Sequence, residues 1–301
     1  MQQRPELVVG LGLNPTGANP GLGAGSRVAL AAVAAFARRA RGVRVTLMHA
    51  TGREGQAWPP RPAAARASRA LLIDAEAALA ELRAAGAEAE LVVTDGAAVP
   101  ALARRAHFTA ADLVVVGRTE GADGRRGLGP TAAALLATAP APVWVVDGAR
   151  PLGAVRLVAG ARDRAGLGLA AALARALHAP LHVAAASEVP LASAPVCGAN
   201  ARREHFDAAR RRLTREAHAA CREVGTARVE PEVHVGFDAP RAFLSALAAR
   251  LEPSLLVVDP ATVAGRDTWP AYAESLGGSF VVARGATFVS PFTTSALYER
   301  H

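Results

Sequence analysis

The sequence predicts an α/β protein built as two tandem, doubly wound domains, each around a five-stranded parallel sheet. Three observations predict it. Short apolar runs rich in Val and Leu alternate with longer amphipathic stretches, the pattern of strands buried on both faces between helices. One unbroken segment, Ala111 to Val146, reads as strand, glycine-rich loop, helix and strand. The same order of elements then occurs again, with the landmarks Gly86 and Gly225, Leu113 and Leu255, and Val145 and Val281 near a constant separation. The domain boundary falls near Gly148 to Gly153, where Gly and Pro separate two strands, giving domains over 1–149 and 150–301.

In the first domain, Glu6 to Leu11 is a strand leading into a loop rich in Gly, Pro and Asn. Gly25 to Arg41 is a helix with Val28, Ala32, Ala35 and Phe36 on its apolar stripe, stopped by Gly42. Val43 to Ala50 is the second strand, and Thr51 to Ala65, with Pro59, Pro60 and Pro62, is a loop. Arg66 to Ala85 is a long amphipathic helix ended by Gly86, Glu88 to Thr94 a third strand, and Ala97 to His107 a third helix. Leu113 to Val116, a helix from Pro130 and Thr131, and Pro142 to Val146 complete the set. In the second domain the strands are Val155 to Ala161, Leu181 to Ala186, Val229 to Val235, Leu255 to Val258 and Phe280 to Val282. The helices are Arg164 to His178, Arg202 to Val224 and Pro240 to Leu251. Thr287 to His301 carries Phe288, Val289, Phe292 and Tyr298, which suit docking, in a terminal position that suits fraying.

Composition narrows the chemistry. The chain has a formal charge of +8, yet it contains no lysine, so all 34 basic groups are arginine. This excludes a Walker-type phosphate loop and any Schiff-base lysine. The arginines are spread over helices, and the cluster Arg210, Arg211, Arg212 and Arg215 is interrupted by Asp207 and Glu216 without interleaved aromatics, so nucleic acid is not an expected partner. No run approaches a membrane span, and the start lacks a secretory signal, which makes a soluble cytoplasmic protein the expectation. Cys197 and Cys221 are too few for a disulfide framework. His178 and His182 have i, i+4 spacing, but Pro180 between them breaks a shared helical face, so no metal site is expected.

The segment after Leu113 to Val116 carries the best candidate site. Gly117, Gly121, Gly124, Gly127 and Gly129 form a loop that lets an anion approach the main chain. The helix starting at Pro130 and Thr131 adds free N–H groups and a favourable dipole. These residues, ADLVVVG at Ala111 to Gly117, the closing ATAPAPVWVV at Ala137 to Val146, and TLMH at Thr46 to His49, resemble the universal stress protein family in a tandem two-domain form. The resemblance implies an adenine nucleotide alpha hydrolase-like fold, a stress-linked cytoplasmic role, and ATP or a related adenine nucleotide across the carboxyl ends of the first and fourth strands.

Carried over by residue, Gly117 matches the first glycine of the family's G-x2-G-x9-G-[S/T] loop and Gly129 the third. The second falls on Glu120, next to Gly121, and Pro130 stands where the family has Ser or Thr, with Thr131 one position along. Arg118, Arg125 and Arg126 are candidates to neutralise phosphate, opposed by Glu120 and Asp123. Gly12, Asn14, His49 and Gly127 complete the candidate nucleotide-binding set; Asn14 stands near where the family has an acidic residue. No catalytic residue is assigned. The segment Gly10 to Gly17 lacks the dinucleotide fingerprint's third glycine, no GxSxG elbow occurs, and at most slow ATP hydrolysis is compatible with the residues.

In the second domain Val258-Asp259-Pro260 follows the fourth strand without a glycine ladder, and Asp163 follows the first strand as a helix cap or an acidic ligand. That domain reads as a structural or regulatory copy. Two functions stay open: a stress-response protein binding an adenine nucleotide in its first domain, and a scaffold of the same fold that dimerises or docks a partner. The resemblance implies pairing of final strands, here Val143 to Val146 with Phe280 to Val282 within the chain, or across a homodimer, which would also cover an apolar edge.

Overall fold

The computed structural model describes residues 4–14, 21–40, 42–51, 62–120, 126–148, 157–160, 164–186, 199–225, 230–236, 240–258 and 279–283. The chain divides into two compact units, Met1–Gly153 with Gly277–Ser279, and Ala154–Leu276 with Phe280–His301.

The first unit contains β1 (Glu6–Leu11), β2 (Leu13–Asn14), β3 (Gly21–Leu22), α1 (Ala24–Arg39), β4 (Arg44–Ala50), α2 (Pro62–Ala84) and β5 (Glu88–Thr94). It continues with α3 (Ala98–Phe108), β6 (Leu113–Gly117), β7 (Thr119–Glu120), β8 (Arg126–Gly127), α4 (Pro130–Thr138) and β9 (Val143–Val146). The parallel sheet runs β5, β4, β1, β6, β9. By position in the chain that order is 3-2-1-4-5, so the winding reverses between β1 and β6. The β-branched runs lie at the centre, as their composition requires: Leu7, Val8, Val9, Val114 and Val115 are closed to solvent within 1%. Among the described residues, Phe36 of α1 is set edge-on against Trp144 of β9 at 6.1 Å between centroids.

Helix ends follow the glycines. Gly86 has φ +91°, and bonds from its N–H to the Arg83 carbonyl and from the Ala87 N–H to the Leu82 carbonyl close α2 in a Schellman motif. Ala110 (φ +49°) and His178 (φ +50°) make the same turn without glycine.

Three local expectations change. α2 starts at Pro62, four residues before Arg66, because proline's fixed φ suits a first helical turn. The stretch after Gly117 contains a short antiparallel ladder, with Thr119 opposite Gly127 and Glu120 opposite Arg126. The Gly/Pro/Asn stretch after β1 likewise holds a ladder, Leu13 opposite Leu22 and Asn14 opposite Gly21.

The second unit contains β10 (Leu157–Gly160), α5 (Arg164–Leu177), β11 (Leu181–Ala186), α6 (Ala199–Glu223), β12 (Glu232–Gly236), α7 (Pro240–Leu251), β13 (Leu255–Val258) and β14 (Phe280–Val282). Its parallel sheet runs β12, β11, β10, β13, β14, again 3-2-1-4-5. Glu252 (φ +45°) precedes β13 by the interval that separates Ala110 from β6. Cys221 is buried on α6. At the β12 end of the sheet, burial holds the His234 imidazole below its usual pKa; Glu232 pulls the other way, and His182, Arg250 and Arg210 reinforce the lowering. Asp163, Asp259, Cys197 and the segment Thr287 to His301 lie outside the described residues. Among the described residues no helix is long and apolar enough to cross a membrane.

Candidate functional site

Parallel strands all point their carboxyl ends one way, and the reversal of winding between β1 and β6 leaves a gap there that no crossover helix fills. The first unit has a cavity of about 610 Å³ in this position. Gly10, Leu11 and Gly12 line it from β1 and the residue after it, Met48, His49 and Ala50 from β4, and Val116 and Gly117 from β6. Three helices open onto it by their first turns: α1 through Ala24, Gly25 and Ser26, α3 through Ala98, and α4 through Pro130, Thr131 and Ala132.

The helix starts are the chemically active part. Gly23 and Gly129 sit at the N-caps of α1 and α4 with no side chain to bond the first turn. The leading N–H groups therefore have no intrahelical acceptor. Pro130 has no N–H to offer, which leaves those of Thr131 and Ala132 at α4. Two helix dipoles add partial positive charge at the same cavity. Leu11, Met48, Leu102 and Val116 supply an apolar wall, and Ser26, His49, Thr119 and Thr131 the polar side chains. Among the described residues the lining has no Arg, Asp or Glu.

Local hydrogen bonds hold this geometry. The Gly12 N–H donates to Ser26 Oγ at 2.8 Å, and the Gly23 N–H donates to the Gly12 carbonyl at 2.9 Å, tying the end of β1 to the start of α1. His49 is buried, and its Nδ1 lies 3.1 Å from the Leu11 carbonyl oxygen. A carbonyl only accepts, so Nδ1 donates its proton to it.

Five of the sequence-derived candidates meet at the cavity: Gly12, His49, Gly117, Gly129 and Thr131. Arg118 does not. Its backbone N–H donates to the Val146 carbonyl, its side chain is buried, and its Nε stands 3.7 Å from the Asp147 carboxylate. A guanidinium committed to a neighbouring carboxylate is not a phosphate clamp. Gly127 is taken up by the β7–β8 ladder, and Asn14 by the β2–β3 ladder, both away from the lining. Gly121, Asp123 and Arg125 lie outside the described residues.

The missing side chain of Gly117 has a use the sequence did not reveal. A Cβ there would overlap the carbonyl group of Gly25 and stand 2.7 Å from its Cα. Gly25 in turn has no room for a Cβ beside the Arg118 carbonyl. These two glycines let the first turn of α1 touch the end of β6. Sequence reasoning missed Gly25 and Ser26 as lining residues, although GLGAGS at Gly21 to Ser26, just ahead of an apolar-periodic helix, carried the signal.

Comparison with known proteins places these features. Residues 23–147 match the model of the Universal stress protein family. A universal stress protein from Archaeoglobus fulgidus superposes with a TM-score of 0.64 at 13% identity, covering 94% of this chain and 97% of that one. A functionally unknown protein from Pseudomonas aeruginosa gives 0.58 at 16% identity, over 94% and 93% of the two chains. The cytoplasmic domain of a prokaryotic cation chloride cotransporter gives 0.51 at 11% identity, over 93% and 95%. No protein with a curated description matches the chain. Identities this low establish the fold alone, whereas the family model matches from the start of α1 to the end of β9, which supplies the cavity lining apart from Gly10, Leu11 and Gly12. The first unit is thus similar, over residues 23–147, to the universal stress protein family.

Proposed function

We propose that this is a stress-response protein whose first unit binds an adenine nucleotide. One observation carries the reading: the first turns of α1 and α4, both without a capping side chain, open onto one cavity of about 610 Å³ at the switch between β1 and β6. Such a cavity is of ligand size. The phosphates would be bound by main-chain N–H groups of Ala24 to Ser26 and of Thr131 and Ala132, with the Thr131 hydroxyl standing in for the residue that Pro130 replaces. The base would lie on the wall of Leu11, Met48, Leu102 and Val116. Binding by dipoles and amides without a cationic clamp implies modest affinity and a retained, unhydrolysed nucleotide, since no described side chain in the lining is placed as a metal carboxylate pair.

A second reading has its own support. The Gly117 to Gly25 contact explains the glycine without any ligand, and the described lining has no cationic side chain. On that reading the unit is a scaffold that dimerises or docks a partner, and the likeness to a transporter's cytoplasmic domain illustrates that this fold does not fix a ligand.

Thr131→Glu separates the two. Thr131 is half-exposed and lies in the first turn of α4, where a carboxylate is tolerated or stabilising. The fold should therefore survive while phosphate is repelled. Titration calorimetry with ATP, ADP, AMP and cyclic AMP should show binding to the native chain and at least about a tenfold loss in the variant, equal to about 1.4 kcal/mol. No heat with any of the four, and no nucleotide in native mass spectra of fresh material, would leave the scaffold reading.

A further inference from the structure

The spacing of His178 and His182 along the chain gives them no shared helical face, and His178 closes α5 in a left-handed turn. His182 instead meets residues some fifty positions further on. In the parallel register of β11 and β12, His182 is the partner of Glu232 and Ala184 the partner of His234. Side chains alternate along a strand, so Glu232 and His234, two apart, share a face with each other and with His182. His182 is buried, His234 half-buried, and Glu232 exposed at the outer strand of the described sheet.

Three donor atoms converge there. His182 Nδ1 is 3.2 Å from His234 Nε2 and 3.2 Å from Glu232 Oε2, and His234 Nε2 is 3.4 Å from Glu232 Oε1. The rings are tilted 30° with centroids 5.4 Å apart, so the close approach is made by nitrogens and not by stacked faces. We propose that His182, His234 and Glu232 form a zinc-binding site on the second unit, with water as the fourth ligand.

The argument is one of matching lone pairs. If both facing nitrogens carry protons, each donates to the carboxylate, but the two N–H groups then oppose each other at 3.2 Å. If one is unprotonated, the ring-to-ring contact becomes a hydrogen bond, but its lone pair then faces a carboxylate oxygen. Hydrogen bonds satisfy two sides of the triangle and not the third. A cation at the centre satisfies all three, because every donor then directs a lone pair inward. The dimensions agree: tetrahedral zinc with bonds of about 2.0–2.1 Å sets its ligand atoms about 3.3–3.4 Å apart. Two imidazoles and one carboxylate suit zinc, whereas calcium and magnesium take oxygen ligands and copper(I) prefers sulfur. The exposed side of Glu232 leaves the fourth position open to water.

Arg250 is the competitor. Its Nη2 lies 3.4 Å from His234 Nδ1, which fits donation to that nitrogen and places the ring proton on Nε2. Zinc on Nε2 requires the opposite tautomer, so binding shifts a proton to Nδ1 and turns the Arg250 guanidinium away. Arg250 is exposed, and nothing described encloses that movement. The site also bridges β11 and β12, so an occupied site staples the outer strand to its neighbour.

The test uses the full chain stripped with a chelator, with zinc titrated against a chromophoric competitor and cobalt(II) as the spectroscopic probe. One zinc per chain, intense visible cobalt bands of a four-coordinate site, and a zinc-dependent rise in Tm are expected. His234→Ala and Glu232→Ala should each weaken zinc at least tenfold and remove the Tm rise; both positions are open enough that circular dichroism should confirm the fold. Arg250→Gln should bind as tightly as the native chain or more tightly. No stoichiometric zinc, a weak six-coordinate cobalt spectrum, variants that bind like the native chain, or weaker binding by Arg250→Gln would overturn the assignment.

Discussion

Gly117→Ala is expected to destabilise the first unit by at least about 3 kcal/mol, and Gly127→Ala to leave it unchanged or slightly more stable. Both glycines belong to the same glycine-rich stretch, and composition does not separate them. Geometry does. A Cβ on Gly117 would enter the carbonyl group of Gly25, and backbone on both sides leaves no flexible side chain to give way. The strain must be relieved by pushing α1 off the end of β6, which opens contacts on a buried central strand of the sheet. A Cβ on Gly127 meets nothing within 4 Å, and Gly127 has no left-handed backbone to strain, so alanine there mainly stiffens the unfolded chain. Gly129→Ala should fall between them, because its Cβ would meet the Thr119 side chain, which can rotate. Urea unfolding of the three variants gives the order directly. Equal effects at Gly117 and Gly127 would mean that the stretch acts as a flexible loop and that the Gly25 contact is unimportant.

This contrast shows what the sequence could carry. Strands such as Leu113–Gly117 and Leu255–Val258 were legible because four consecutive Leu and Val residues between turn signals fit a strand buried on both faces. Gly86 and Gly225 were legible as helix ends because a left-handed residue is needed there, and both have it. The parallel, doubly wound character of the sheet followed from alternation of strands and helices, whereas the order of the strands did not. Of the site, what lay at the ends of β1, β4 and β6 was readable, since the position of a ligand crevice follows from topology. What lay across the sheet was not. The commitment of Arg118 to Asp147, the approach of Gly25 to Gly117, and the meeting of His182 with Glu232 and His234 all depend on register or on the depth to which one helix packs. Spacing along a chain does not contain those distances.

Asp112 was another residue whose role sequence could not supply, and it should make the protein lose stability as the pH rises from about 4 to neutrality. It precedes β6 directly and is 1% exposed. Its N–H donates to the Glu6 carbonyl, and its Oδ2 accepts from the Glu6 N–H, each at 2.8 Å, so it fastens the start of β6 to the start of β1. Its Oδ1 has no hydrogen-bond partner. Burial raises the pKa from 3.8 to about 7; the bond from Glu6 opposes the rise and the Glu6 charge adds to it. The folded protein therefore retains a proton that the unfolded chain releases above about pH 4. Stability from this group is complete below that value, declines as the pH rises towards 7, and levels off beyond, by a total on the order of 4 kcal/mol. Glu6 is itself raised by burial, with Arg44 as the main opposing charge, so its titration adds a decline of the same sign. Asp112→Asn isolates the first contribution. The amide oxygen keeps the bond from Glu6, the side chain stays neutral, and the difference in urea midpoint between variant and native chain should shift in favour of the variant from pH 5 to pH 8, by about 3 kcal/mol. A difference that does not change with pH would mean that Asp112 is ionised throughout, and that water or a cation reaches Oδ1.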